Sequence, residues 1–213
     1  MHILMQNMKV LAFDWASLLG LGGVALVVVV VGVVWLIISC FRKIEKGTAL
    51  IRTGIGETKV TFDGMFVIPI LHRADLMDIS LKRVEIDRTG NNGLICKDNM
   101  RADIKVAFFV RVNNNKEDVL QVAGAIGCDR ASSEHEIRQL FDAKFSEALK
   151  TVGKQFDFIE LYEKRDQFRD EILKVIGTDL NGFVLDDAAI DYLEQTPLQM
   201  LDPDNILDAE GIK

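Results

Sequence analysis

Apolar side chains fall along this chain in three rhythms. From Ala16 to Phe41 they run without a charge, from Arg101 to Val112 they alternate with polar ones, and from Ile137 to Val152 they recur every three or four residues. Each rhythm suits a different backbone: a helix in lipid, a strand with one face buried, and an amphipathic helix.

The first run, LLGLGGVALVVVVVGVVWLIISCF within residues 16–41, is long enough to cross ~30 Å of hydrocarbon, which takes roughly 20 helical residues. Val and Gly are poor helix formers in water, but a bilayer offers the backbone no partner except itself. One transmembrane helix is therefore expected, with Trp15 and Trp35 as interfacial anchors near its ends. The run is too long for a cleaved signal peptide. Ile37-Ile38-Ser39-Cys40 only faintly resembles a lipoprotein processing box, since it lacks the usual leucine.

Two short strand-like runs follow, TALIRTG and TKVTF, separated by Gly54-Ile55-Gly56 and ended by Asp63-Gly64. If the first leads away from the bilayer and the second returns, GMFVIPIL (residues 64–71) lies again at membrane level. Pro69 cannot donate to a ladder, so this run is an edge or loop. Shallow insertion of Met65, Phe66, Val67, Ile68, Ile70 and Leu71 into the inner leaflet is expected, against the alternative that part of the set fills the core. Arg42, Lys43, Lys46, His72 and Arg73 then sit at headgroup level.

LMDISLKRVEID and GLICKDN read as strands joined by a hairpin turn at Gly90-Asn91-Asn92-Gly93. In RADIKVAFFVRV, Ala102, Ile104, Val106, Phe108, Val110 and Val112 share one face; Arg101, Asp103, Lys105 and Arg111 share the other. A short helix over 116–125 follows. Ser133 and Glu136 then form a capping box before the stripe Ile137, Leu140, Phe141, Phe145, Ala148, Leu149 and Val152. A third helix is expected over about 162–180, with Phe168, Ile172, Val175 and Ile176 inward and Asn181-Gly182 as its C-cap, before a last strand over 183–193. Strands followed by helices make the fold class α+β.

Charge sharpens the picture. Lys9 and Asp14 are the only charged side chains before Arg42, so the whole net charge of -7 belongs to the part after the membrane run. An acidic domain is repelled by phosphate backbones, and nucleic acid is not an expected partner. Arg42, Lys43 and Lys46 place the C-terminal bulk in the cytoplasm and the N-terminal tail outside. Cys40, Cys96 and Cys128 have no metal-ligand spacing and suit a reducing compartment.

Candidate chemistry is sparse. His2, His72 and His135 are scattered; Gly54-x-Gly56 lacks the strand-to-helix setting of a phosphate loop; Asp202-x-Asp204 lacks the third ligand and bend glycine of a calcium loop. The acidic pairs Asp98/Asp103 and Asp186/Asp187 read as surface charge. No catalytic residue, metal or cofactor is nominated, and the protein is not expected to be an enzyme.

"EKGTALIRTGIGETKV" after a basic-flanked membrane helix, and "CKDNMRADIKVAFFVRVN" leading into helices, resemble the SPFH family (stomatin, prohibitin, flotillin; band 7). "NGFVLDDAAIDYLEQTPLQMLDPDNILDAEGIK" narrows the likeness to bacterial flotillin-like inner-membrane proteins. The resemblance implies a two-part SPFH domain on the cytoplasmic leaflet, homo-oligomerisation into rings or cages, and a scaffolding role in membrane microdomains. Domains are then expected at 1–15 (outer tail), 16–41 (membrane helix), 42–98 (β-rich first subdomain), 99–195 (α+β second subdomain) and 196–213, the start of a helical region that flotillins continue as a coiled coil. The runner-up is a regulatory subunit restraining a membrane-bound ATP-dependent protease. Membrane lipid, copies of itself and such a client are the expected partners.

Overall fold

The structure is a computed structural model and describes residues 23–211 apart from 25, 178 and 203. A helix, α1, covers residues 23–24 and 26–39. The strands are β1 (Phe41–Lys43), β2 (Thr48–Gly54), β3 (Lys59–Thr61), β4 (Gly64–Phe66), β5 (His72–Asp78), β6 (Lys82–Arg88), β7 (Leu94–Ile95), β8 (Arg101–Val112), β9 (Asp179–Leu180) and β10 (Phe183–Gln195). The further helices are α2 (Lys116–Ile126), α3 (Cys128–Ser132), α4 (Glu134–Gly153), α5 (Phe158–Glu163), α6 (Arg165–Ile176) and α7 (Ile206–Gly211). This is an α+β fold.

Two sheets share one core. The first has the order β3-β2-β5; the second runs β6-β8-β10-β9, with β7 also on β8. The changeover falls at residues 79–81, so β6 and β7, inside the segment 42–98, belong to the second sheet. The run LMDISLKRVEID is thus two strands and not one. β6 and β7 lie end to end along the same edge of β8, so residues 90–93 carry the chain onward instead of reversing it as a hairpin would.

β8 obeys its alternation, since all six side chains of the expected inner face are buried. The outer face departs from expectation: Arg101 and Asp103 are buried as well, because residues 196–208 fold back over that end of the strand. Thirteen residues of β10 oppose β8 through bulges at Asp186 and Asp191. Both bulge carboxylates find arginines, Asp186 on Arg111 at 2.8 Å and Asp191 on Arg83.

On α4, Ile137, Phe141, Phe145, Ala148, Leu149 and Val152 are buried as the spacing requires, while Leu140 is 44% exposed. Ser133 accepts from the Glu136 N–H at 3.4 Å, but Glu136 turns away to Arg130, so only half of the expected box forms. The full capping box lies at Asp157 and Glu160 of α5. The expected third helix is two, α5 and α6, and Val175 is exposed. Gly177 at φ 79° ends α6; Asn181 and Gly182, both at positive φ, make the two-residue turn that pairs Leu180 with Phe183. Asn-Gly serves here in its hairpin role and not as a cap.

Candidate functional site at the apolar end

α1 presents apolar surface on every side. Its large side chains from Leu26 to Ile38 are 49–70% exposed, Trp35 most of all. Among the described residues, no helix is long and apolar enough to cross a membrane. Trp15 and residues 16–22 of the expected span lie outside the described residues.

The chain leaving α1 enters β1, which pairs antiparallel with β4: Phe41 faces Phe66, Arg42 faces Met65, and Lys43 faces Gly64. Glycine is needed at 64, because a Cβ there would lie 2.8 Å from the Arg42 carbonyl oxygen. The ladder continues as the Val67 N–H donates to the Cys40 carbonyl at 2.8 Å. Phe41 and Phe66 meet edge to face, with centroids 5.1 Å apart. Ile37, Ile38, Phe41, Lys43 and Phe66 enclose an open apolar recess of about 560 Å³. Backbone pairing thus fixes the run 64–71 against the foot of α1.

Beyond Pro69 the run curls: the N–H groups of Leu71 and His72 both donate to the Ile68 carbonyl, at 3.0 and 2.9 Å. This turn projects Ile70, which is 93% exposed, with Phe66, Ile68 and Leu71 exposed around it. Val67 departs from the expected insertion set. It is buried, because it alternates inward between two outward neighbours. Met65 is half-buried.

The Gly54-Ile55-Gly56 turn joins this end instead of pointing away from it. β2 runs antiparallel to β5 with Gly54 opposite His72, so its tip must lie where β5 starts, just after the run. A Cβ on Gly54 would sit 2.4 Å from the Leu71 carbonyl oxygen, and the Ile55 N–H reaches that oxygen at 3.5 Å. Ile55 is exposed, and it was missed as a patch residue because its glycine neighbours signal only a turn. Phe41, counted with the membrane run, also belongs to the patch.

Of the expected cations, Arg42, Lys43 and Lys46 are exposed around β1. Arg73 is exposed and pairs with Asp75 at 3.0 Å. His72 is half-buried, its Nδ1 enclosed without a hydrogen-bond partner, so its ring packs toward the Gly54 turn more than outward.

The acidic pairs have structural duties. Asp98 accepts from the N–H groups of Met100 and Phe158, Asp103 from the Thr196 hydroxyl and the Gly90 N–H, and Asp187 from the Ala188 N–H. Asp103 is therefore a buried acceptor and not surface charge. Burial, with Asp98 beside it, pushes the Cys96 thiol up to about 12, far from a nucleophile at neutral pH. Among the described residues, no three or more of His, Cys, Asp and Glu cluster as a metal site.

The family model described as "SPFH domain / Band 7 family" matches residues 28–192. Flotillin family inner membrane protein YqiK of Escherichia coli is 33% identical over 175 residues, covering 81% of this chain and 32% of its own length. Flotillin family inner membrane protein sll1021 of Synechocystis sp. is 30% identical over 173 residues, covering 78% of this chain and 25% of its own length. The chain thus spans a third or less of the length of these relatives.

Proposed function

The chain belongs to the SPFH/band 7 family, and from that premise we propose that it is a flotillin-like membrane scaffold that assembles on the cytoplasmic face and organises membrane microdomains. One observation carries the reading: the β1–β4 register sets the exposed side chains of Phe66, Ile68, Ile70 and Leu71 beside the foot of an apolar helix that nothing among the described residues covers. The apolar run from residue 16 to the end of α1 at residue 39 crosses the bilayer, two residues short of the expected boundary because Phe41 is drawn into β1, and the N-terminal tail lies outside. Phe66, Ile68, Ile70 and Leu71, joined by Phe41 and Ile55, dip into the inner leaflet, and Arg42, Lys43, Lys46 and Arg73 meet headgroups. Burying a fully exposed isoleucine is worth about 1.5–3 kcal/mol, so several together hold the domain flat against the membrane. The names of both relatives place them in the inner membrane and in the flotillin family, which supports the same location here. No feature of the geometry favours the protease-restraining role.

Co-sedimentation of a version starting at residue 40 with liposomes tests the contact. Ile68→Asp with Ile70→Asp is expected to weaken binding by about tenfold or more, with an unchanged circular dichroism spectrum. Equal binding would remove the patch from the account. The scaffold itself is tested by light scattering after detergent extraction of the whole chain. Particles many times the 23.9 kDa monomer are expected, and a monodisperse monomer would refute self-assembly.

A further inference from the structure

A second surface is basic in an acidic protein. A pocket of about 330 Å³ is lined by Arg88 at the end of β6, Asn91, Asn92 and Gly93 of the connecting turn, Ile95, Arg101, Lys150 of α4 and Lys154, the C-cap of that helix. Among the described residues no carboxylate lines it, although the chain carries 32 acidic residues against 25 basic ones.

The two arginines are held in place from below. Ser146 and Lys150 lie one above the other on a single face of α4, and Lys154, the C-cap of that helix with αR backbone, continues the four-residue spacing. The buried Ser146 hydroxyl takes the Arg88 Nη2, which anchors that guanidinium between β6 and α4 at 22% exposure; its Nε finds no acceptor among the described residues. Arg101, at 8% exposure, is fixed by Asp208 and by the carbonyls of Asn91 and Gly93. Gly93 lets the turn lie on it, since a Cβ there would be 2.9 Å from the Arg101 Cγ.

The charges do not cancel. Asp208 neutralises Arg101, and Asp142 approaches Arg88 only to 3.9 Å. Neither Lys150 nor Lys154 makes an ion pair among the described residues. The carbonyl end of α4 takes back about half a charge. Two exposed ammonium groups beside an anchored guanidinium remain, with the Asn91 and Asn92 amides at the rim.

We propose that this pocket between the end of β6 and the last turns of α4 binds a phosphate group carrying two negative charges, whether on a soluble phosphate or on an anionic headgroup. The oxygens accept from Lys150, Lys154 and the Asn91 and Asn92 amides, with Arg88 supplying charge behind them. The pocket shares no lining residue with the apolar recess at the foot of α1.

The test is calorimetric titration of the full chain in detergent at low ionic strength with sodium pyrophosphate. Co-sedimentation with phosphatidylcholine vesicles, with and without phosphatidic acid, runs in parallel. Saturable binding of pyrophosphate identifies a soluble phosphate, and a phosphatidic-acid-dependent gain alone identifies a headgroup. In either arm Lys150→Glu with Lys154→Glu is expected to weaken binding by about tenfold or more. Asn91→Asp, which leaves α4 untouched, shifts it the same way. Lys150→Arg with Lys154→Arg retains binding, and Lys174→Glu on α6 leaves it unchanged. Loss of vesicle binding common to both lipid mixtures reports on the apolar patch and is subtracted. Absence of binding in both arms, or a double glutamate variant that binds as well as the original, overturns the proposal.

Discussion

Truncating Arg101 to alanine is expected to lower the unfolding free energy by about 3–5 kcal/mol, as breaking a buried ion pair does. Its Nε and Nη2 donate to the Asp208 Oδ1 at 3.0 and 2.7 Å, and its Nη1 to the Asn91 carbonyl at 2.8 Å. Both side chains are nearly solvent-free, at 8% and 5% exposure. Without Arg101, the Asp208 carboxylate keeps only the Asp202 N–H among the described residues, and two turn carbonyls lose their donor. The surface pair Lys97–Asp157, 3.8 Å apart and well exposed, should contribute less than about 1 kcal/mol. Urea unfolding of a version starting at residue 40 makes the comparison. Arg101→Met combined with Asp208→Leu should recover most of the loss, because no charge is then left buried alone. A loss below about 1 kcal/mol for Arg101→Ala would mean that α7 does not hold the domain together.

Phe145→Ala is expected to cost about 3–5 kcal/mol, by transfer and by the cavity left behind. Phe145 is fully buried where α4 crosses the second sheet; its ring lies 4.4 Å from that of Phe108 on β8 and 5.3 Å from that of Phe141. Phe141 in turn meets Phe183 edge to face, so one deletion loosens a chain of four rings. Leu140, one residue earlier than Phe141 on the same helix and 44% exposed, should cost less than about 1 kcal/mol when cut to alanine. Thermal or urea melts separate the two. Equal losses at both positions would show that α4 is rotated so that Leu140 shares the buried face with Phe145.

Much of this was legible beforehand. The β8 alternation and most of the α4 stripe were readable because burial on one face imposes a period of two or 3.6 on the sequence itself. The resemblance to SPFH proteins rested on residues from about Glu45 to the end, and the family match, at 28–192, overlaps most of that stretch but stops short of the last quoted motif's end. Errors came where one local signal serves two geometries. Asn181-Gly182 suits a helix end as well as a hairpin, and GNNG suits a reversal as well as a jog along an edge.

The sequence by itself determined most element types, the apolar run of 16–41, the edge-or-loop character of GMFVIPIL and the acidic balance of the part after the apolar run, all properties of neighbours along the chain. Only the tertiary structure decided that the Gly54 turn lies beside Leu71, that Val67 points inward, that Arg101 and Asp103 are buried, and that Arg88 gathers with Lys150 and Lys154. Those facts depend on strand register and on a tail returning from 107 residues away to Arg101. Periodicity records which way a side chain faces its own backbone, whereas contacts between distant segments are set by how whole elements pack.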